Sequence, residues 1–377
     1  MNTYIIKGGR VYDPQKNAFS VRDIAFRDGV LISPSKAKTN VRILNADGCL
    51  VSPGLIDFHM HLAAQCSDNG VAPDPICLPS GVTTAVDAGT AGYANYEAFR
   101  LTDAAHAITD VRACLHVSPA GMTTWAYMED GNPKHYSLPD MKKLFDKYPA
   151  ELVAIKTRVS RSYIAPTGLL KEPLEAALRL AEQLDRPLVV HVTDPAFSLD
   201  ELAQMLRRGD IFCHVYQGIG ETILDGDGHV RPAIRKARER GVLFDAANGM
   251  RNYDSHVALS ALSDGFEPDI ISTDITVATQ YLEPVHSLPV LMSKYYCMGM
   301  PWEKIFRTVT AVPAAILQEP EKASLQDGTK ADLAVFREKD IPITFPDAFG
   351  GHISGHTVLV PQLTVKDGRI VYRQVDF

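Results

Sequence analysis

The chain has 377 residues, 46% of them hydrophobic and 22% charged, enough apolar material for a large buried core. A formal net charge of −7, with no basic run beyond the helix-like "RPAIRKARER" at 231–240, argues against nucleic acid as the main partner. No stretch of about 18 apolar residues is present to span a membrane.

The opening "MNTYIIKGGRVYDP" carries no basic-then-apolar targeting pattern. The six cysteines (Cys49, Cys66, Cys77, Cys114, Cys213 and Cys297) are scattered without a CxxC pair, so reduced thiols and a cytoplasmic location are expected. Cys66 and Cys213 stand near the histidines discussed below and are minor candidates for thiolate ligands.

In chain order, the first segment alternates short β-rich runs with turns: "YIIKGGRVYD", "VRDIAFRDGVLI" and "VRILNADGCLVSPG". The last segment repeats the idiom in "ADLAVFREKDI" and "HTVLVPQLTVKDGRIVYR". Chain ends of a domain often lie close together. Residues 1–52 plus 325–377 are therefore expected to form one small β-sandwich, with 53–324 as a separate unit.

Within 53–324, eight short apolar runs read as strands: 55–62, 82–89, 112–118, 152–159, 187–192, 211–216, 242–247 and 269–275. Helix-period segments such as "PLEAALRLAEQLD" and "SLDELAQMLRRG" follow most of them, and "EKIFRTVTAVPAAIL" (303–317) reads as one closing helix. Strands alternating with helices imply a parallel sheet, and eight such units fit an α/β chain folded as a (β/α)8 TIM barrel. An open doubly wound sheet would want a Gly-rich phosphate loop after its first strand, where this chain has "HMHLAAQ".

Barrel chemistry gathers at the C-terminal ends of strands. The polar residues there are His59 and His61 on the first strand, Lys156 on the fourth, His191 on the fifth, His214 on the sixth and Asp274 on the eighth; Asp87 and Asp245 have weaker claims. Strand alternation puts His59 and His61 on one face. Each residue alone has a plainer role: a histidine can be a hydrogen-bonded structural group, a lysine can snorkel to the rim, and an aspartate can cap a helix. Together they form the donor set of a two-metal hydrolytic centre, and imidazole with carboxylate suits Zn²⁺, with Fe²⁺, Mn²⁺ or Ni²⁺ as alternatives. His352 and His356 in "FGGHISGHT" lie among glycines that indicate a loop, not a metal site.

The segments "VSPGLIDFHMHL", "SGVTTAVDAGTAG", "AIKTRVS", "PLVVHV", "GDIFCHVYQG", "PDIISTDI" and "GTKADLAVF" resemble the amidohydrolase superfamily, specifically its dihydroorotase-like deacetylase subgroup. The resemblance covers nearly the whole chain. It implies that His59, His61 and Asp274 hold one divalent ion, that His191 and His214 hold a second, and that Lys156 bridges them as a CO2-derived carbamate. It implies further that a hydroxide between the metals attacks a polarised carbonyl, with Asp274 as the acid–base group. Two features depart from the pattern. Asn248, in "DAANGMRNYD", stands where relatives tend to place a histidine, and "CHVYQG" replaces a "THCFNG"-like run while keeping His214.

For substrate contacts, Arg158 shares the face of Lys156 and suits a carboxylate, with Tyr163 and Arg161 nearby and Asn248 after strand seven. Met122, Trp125 and Tyr127 are candidate pocket walls. The expected activity is deacylation, in particular deacetylation, of a small N-acyl or O-acyl carboxylate compound. Ring opening of a cyclic amide is the runner-up, a mononuclear deaminase comes third, and a non-catalytic amidohydrolase-like scaffold is the reading from another class. The expected partners are a small-molecule substrate and further copies of the chain, with neither nucleic acid nor membrane.

Overall fold

The computed structural model describes residues 3–377. Its centre is a curled seven-stranded parallel sheet, in chain order Leu55–Met60, Val82–Asp87, Asp110–His116, Leu152–Arg158, Leu188–His191, Ile211–Cys213 and Leu243–Asp245. Every strand pairs in parallel with its sequence neighbour. Alternation divides the apolar residues between two faces. Ile56, Phe58, Val86, Cys114, Ala154, Val189 and Ile211 cluster inside the curl. Leu55, Leu115, Ile155, Val190, Phe212 and Phe244 face outward into a cluster shared with helix residues such as Leu144, Leu180 and Ile234. Both faces are dry, which explains the near-continuous apolar runs in the sequence.

The eighth expected strand, 269–275, is not a regular ladder. It makes single parallel bridges to both edges of the sheet, Asp245↔Ile270 and Met60↔Ile275. Thr273 N donates to the Asp57 carboxylate at 3.1 Å in place of a strand carbonyl, and Asp274 takes a left-handed φ of 51°. Those two departures from extended backbone end the ladder where the chemistry begins.

The helices carry the outward layer. Glu172–Gln183 starts with Pro173 in its first turn and buries Leu174, Ala177, Leu180 and Ala181 on one stripe. The single helix expected over 303–317 is two, Trp302–Thr308 and Ala311–Ile316. Pro313 supplies no N–H and would crowd the carbonyl of Val309, so the first helix stops before it.

The chain ends build two further sheets. One has four strands in the order Val30–Ile32, Ile24–Arg27, Thr3–Lys7, Val41–Asn45. The other has six, in the order Arg369–Arg373, His352–Lys366, Leu333–Pro346, Cys49–Pro53, Arg10–Asp13, Ala18–Val21. One apolar cluster, including Ile6, Phe26, Leu44, Val51, Val335 and Leu363, draws on both sheets. The glycine-flanked histidines 352 and 356 lie in a long strand, not a loop, because "HISGHTVLVPQLTVK" pairs across its length with Leu333–Pro346.

Two cavities bracket the parallel sheet. The larger, about 1170 Å³, lies at the strands' N-terminal ends and is lined by Arg186, Arg207, Arg238 and Asp269, among others. Part of the charge there is paired: Arg238 meets Asp269 at 3.2 Å, and Arg207 meets Asp210 at 2.8 Å. The smaller, about 410 Å³, lies at the C-terminal ends and holds the polar constellation.

Candidate active site

His59, His61, Lys156, His191 and Asp274 all line the smaller cavity, and His214 is buried directly beside it. The ring centroids of His191 and His214 are 4.2 Å apart, and those of His59 and His214 are 5.2 Å apart. Asp274 Oδ1 lies 3.2 Å from His61 Nε2 and 3.5 Å from His59 Nε2. Lys156 Nζ lies 3.2 Å from the same His59 Nε2. All six residues expected from the strand ends therefore converge.

The outer nitrogens of three imidazoles are already engaged. His61 Nδ1 is 2.8 Å from Thr90 Oγ1, whose own hydrogen goes to Asp87 Oδ2 at 2.7 Å, so His61 must donate. His214 Nδ1 donates to the Ala247 carbonyl at 2.7 Å. His59 Nδ1 meets Asp245 Oδ2 at 3.2 Å. With Nδ1–H committed in each case, the Nε2 lone pairs point inward, that of His59 toward Lys156 Nζ. His214 Nε2 is buried with no hydrogen-bond partner.

Electrostatics agrees with a cation-seeking centre. Burial holds His59 and His191 well below the ordinary imidazole range, and His214 at about 3, so all three are neutral ligands at pH 7. Burial pulls the Asp274 carboxyl upward, but the imidazoles packed around it, His61 foremost, hold it well below its usual value. Burial lifts Asp245 to about 6 and Asp57 to about 7. The Lys156 side chain is 1% exposed and has no carboxylate at salt-bridge distance among the described residues. An amine so placed is costly as an isolated ammonium.

The cluster His59, His61 and Asp274 brings three ligand atoms within 4.8 Å of one another, the spacing a single ion requires. A second such group, His59, Cys213 and Asp245, lies behind it. Burial raises the Cys213 thiol well above its ordinary value, so it acts as a weak donor to Asp245 at 3.7 Å and not as a thiolate. Cys66 hydrogen-bonds Thr102 outside the cavity.

A family model described as the amidohydrolase family matches residues 50–371. The chain belongs to the amidohydrolase family. A deacetylase of Enterococcus faecalis is 30% identical over 368 residues, 97% of this chain and 98% of that one. Among solved structures, one titled an adenine deaminase superposes with a TM-score of 0.89 at 30% identity, covering 99% of this chain and 100% of that chain. One titled a dihydroorotase gives 0.89 at 26%, covering 99% and 98%. The architecture is thus of TIM-barrel type, and the chain is a hydrolase of this family whose His/Asp cluster can hold a metal.

Not all expected substrate contacts reach the cavity. Arg158 lines it. Tyr163 does not: it is buried, with its hydroxyl 3.1 Å from that of Tyr136 and 3.5 Å from the Asp130 carbonyl, because its short helix Arg161–Ile164 turns it inward. Asn248 also sits one layer back, its Oδ1 accepting from Tyr295 Oη at 3.3 Å. Arg161 is exposed and faces Asp194 at 3.6 Å.

Residues that strand-end reasoning missed lie in loops. Asn252 Nδ2 donates to Asp274 Oδ2 at 2.8 Å and lines the cavity. Gly249, at φ 54°, lets that loop pass against Asp274, where a Cβ would collide with Oδ2. Glu129 faces Arg158. The Asn-Gly pair in "AANGMRN" was the one local signal of a tight turn there.

Proposed function

We propose that the chain is a binuclear metal-dependent hydrolase that removes an acyl group, most simply acetyl, from a small N-acyl or O-acyl carboxylate compound. The observation that carries this reading is the commitment of Nδ1 on His59, His61 and His214, which turns their Nε2 lone pairs inward beside Asp274 and Lys156, where cations would sit. His59, His61 and Asp274 would hold one ion and His191 and His214 the other. Lys156, carbamylated by CO2, would serve both; this turns a buried amine without a counter-ion into an anion between cations. Imidazole and carboxylate donors favour Zn²⁺.

Ions bound there polarise a carbonyl and lower the pKa of water. The chain's own residues do the rest. Asp274 takes the proton of the attacking water and delivers it to the leaving nitrogen or oxygen. Asn252 holds Asp274 Oδ2 and fixes which oxygen faces the reacting atoms. Arg158 receives the substrate carboxylate. Met122, Trp125, Tyr127 and Met250 wall the cavity with apolar surface. The similarity to a deacetylase along nearly the full chain supports acyl removal over the cyclic-amide reading, which the dihydroorotase-titled neighbour keeps second.

The domain division supported by the sheets is residues 1–52 plus 325–377 as a β-sandwich and 53–324 as a (β/α)8 barrel closed by 269–275. No helix among the described residues is long and apolar enough to cross a membrane. The natural assembly is proposed to be a homo-oligomer in the cytoplasm.

Metal analysis with a substrate panel tests the reading. Protein expressed with zinc and bicarbonate is expected to carry about two ions per chain and to hydrolyse N- or O-acyl acids faster than cyclic amides. Absence of bound metal and of any hydrolysis would support a scaffold instead.

A further inference from the structure

Arg158 ends the strand Leu152–Arg158, and Glu129 sits at the far end of the loop that follows Asp110–His116. Arg158 Nη1 lies 3.1 Å from Glu129 Oε1 and 3.4 Å from Oε2. The Glu129 side chain is 5% exposed, and both residues line the cavity that holds the metal-site histidines. A carboxylate of the chain itself already occupies the guanidinium that faces the substrate space.

That pairing is incomplete. One nitrogen, Nη1, approaches both oxygens and hydrogen-bonds only Oε2, whereas a fork-to-fork pair uses two nitrogens. Arg158 Nε is buried with no hydrogen-bond partner, and Glu129 Oε1 is likewise unsatisfied. His116 approaches from the other side. Its Nδ1 accepts from Ser118 N at 3.0 Å, so its proton is on Nε2; that atom stops 3.9 Å from Glu129 Oε1 and is also without a partner. Three adjacent buried polar atoms are left unmatched, which is unusual for a purely structural ion pair. A ligand carboxylate presenting two oxygens to the Nε–Nη2 edge would satisfy more of Arg158 than Glu129 does on Nη1, and its charge would repel the carboxylate of Glu129 beside it.

The loop carrying Glu129 has its other anchors elsewhere. Asp68 accepts from Thr124 Oγ1 at 2.7 Å and from Trp125 N at 3.1 Å, and Asp130 N donates to Ser118 Oγ at 3.2 Å. Trp125 between them is 60% exposed.

We propose that Glu129 is a specificity-determining residue: an internal carboxylate that holds the substrate-carboxylate position on Arg158 and is displaced by a ligand bearing its own carboxylate. This rests on the hydrolase reading for the location of the reacting bond. Compounds without a carboxylate leave Glu129 in place and bind without using Arg158. The displaced loop segment moves with Glu129, and Trp125 reports the movement.

The test uses N-acetylphenylalanine and N-acetylphenethylamine, which differ only by the carboxylate, with the zinc-loaded full chain. Glu129→Gln removes the competitor, so KM for the acid is expected to fall about tenfold while KM for the amide without a carboxylate stays put. Trp125 emission is expected to shift when the acid is added to the unmutated protein, and Trp125→Phe should lose that signal. A raised KM for the acid, an equal change for both compounds, or a silent Trp125 overturns the proposal. If neither compound is hydrolysed but the acid still binds more tightly to Glu129→Gln by fluorescence titration, the hydrolase reading fails and the role of Glu129 stands. Should Glu129→Gln melt below the assay temperature, Glu129→Asp carries the test: its shorter reach should also lower KM for the acid, and an unchanged KM overturns the proposal.

Discussion

His59 Nδ1 lies 3.2 Å from Asp245 Oδ2, while the opposite nitrogen of the same ring lies 3.2 Å from Lys156 Nζ. The first strand's histidine is thereby aimed by a carboxylate from the seventh. Asp245 is itself held by Ser272 Oγ at 2.6 Å and Ala247 N at 3.1 Å. Such a partner fixes the imidazole tautomer and raises its basicity as a ligand. Asp245→Asn keeps the shape but can present an amide N–H to His59. Zinc affinity is expected to fall by about tenfold to a hundredfold, measured by chelator competition. An unchanged affinity would show that the contact is only structural.

Lys156→Ala removes the proposed bridge. The expected result is loss of most hydrolysis and of at least one of the two ions, read by elemental analysis of protein dialysed against zinc. Full activity in this variant would rule out a carbamate role.

Gly249→Ala tests the close approach of a loop to Asp274. A left-handed residue with a Cβ costs about 1–2 kcal/mol, and here the Cβ would also press on Oδ2. Activity should fall much further than the melting temperature, because the displaced atom belongs to the proposed acid–base group. A variant equal to the parent in kcat would mean that Asp274 tolerates the shift.

Lys294 offers a stability prediction away from the site. It is fully buried in the helix Leu288–Cys297, its Nζ has no hydrogen-bond partner and lies 3.5 Å from the Tyr253 ring centroid. Burial holds the amine well below its ordinary value of 10.5, against a smaller upward pull from Asp347. A cation over a ring gains about 2 kcal/mol, less than the several kcal/mol needed to strip an ammonium of water, so the amine is neutral in the fold. The unfolded chain therefore binds one more proton at neutral pH, and this group's contribution to stability rises with pH up to about its unfolded value. Lys294→Met should stabilise the protein by roughly 1–3 kcal/mol at pH 7. The gain should be smaller at pH 9 than at pH 7, as read by urea unfolding. A destabilised variant would show that Lys294 has a partner that compensates its burial.

Much of this was legible from local pattern. Seven of the strands follow from apolar runs of strand length, since residues buried on both faces leave an unbroken hydrophobic signature. His59, His61, Lys156, His191 and His214 were recognisable because each interrupts such a run at the end where a barrel gathers its polar groups. The eighth run was legible as a segment but not as an irregular one. Its ladder is broken by Asp57, a residue far away in the chain whose carboxylate takes the Thr273 N–H. Pro313 dividing the closing helix was local information; the apolar periodicity across 303–317 masked it.

By itself, the order of residues determined which side chains could be ligands, because strand alternation and strand-end position are local properties of the backbone. Only the tertiary structure decided what aims or occupies them. Asp245 behind His59 joins two strands 186 positions apart across the closing edge of the sheet, and Asn252 on Asp274 and Glu129 on Arg158 join residues 22 and 29 positions apart through loops with no repeating geometry. For the same reason Tyr163 and Asn248 turned away from the cavity: the direction of a loop side chain follows from what the loop packs against, and periodicity carries no record of that.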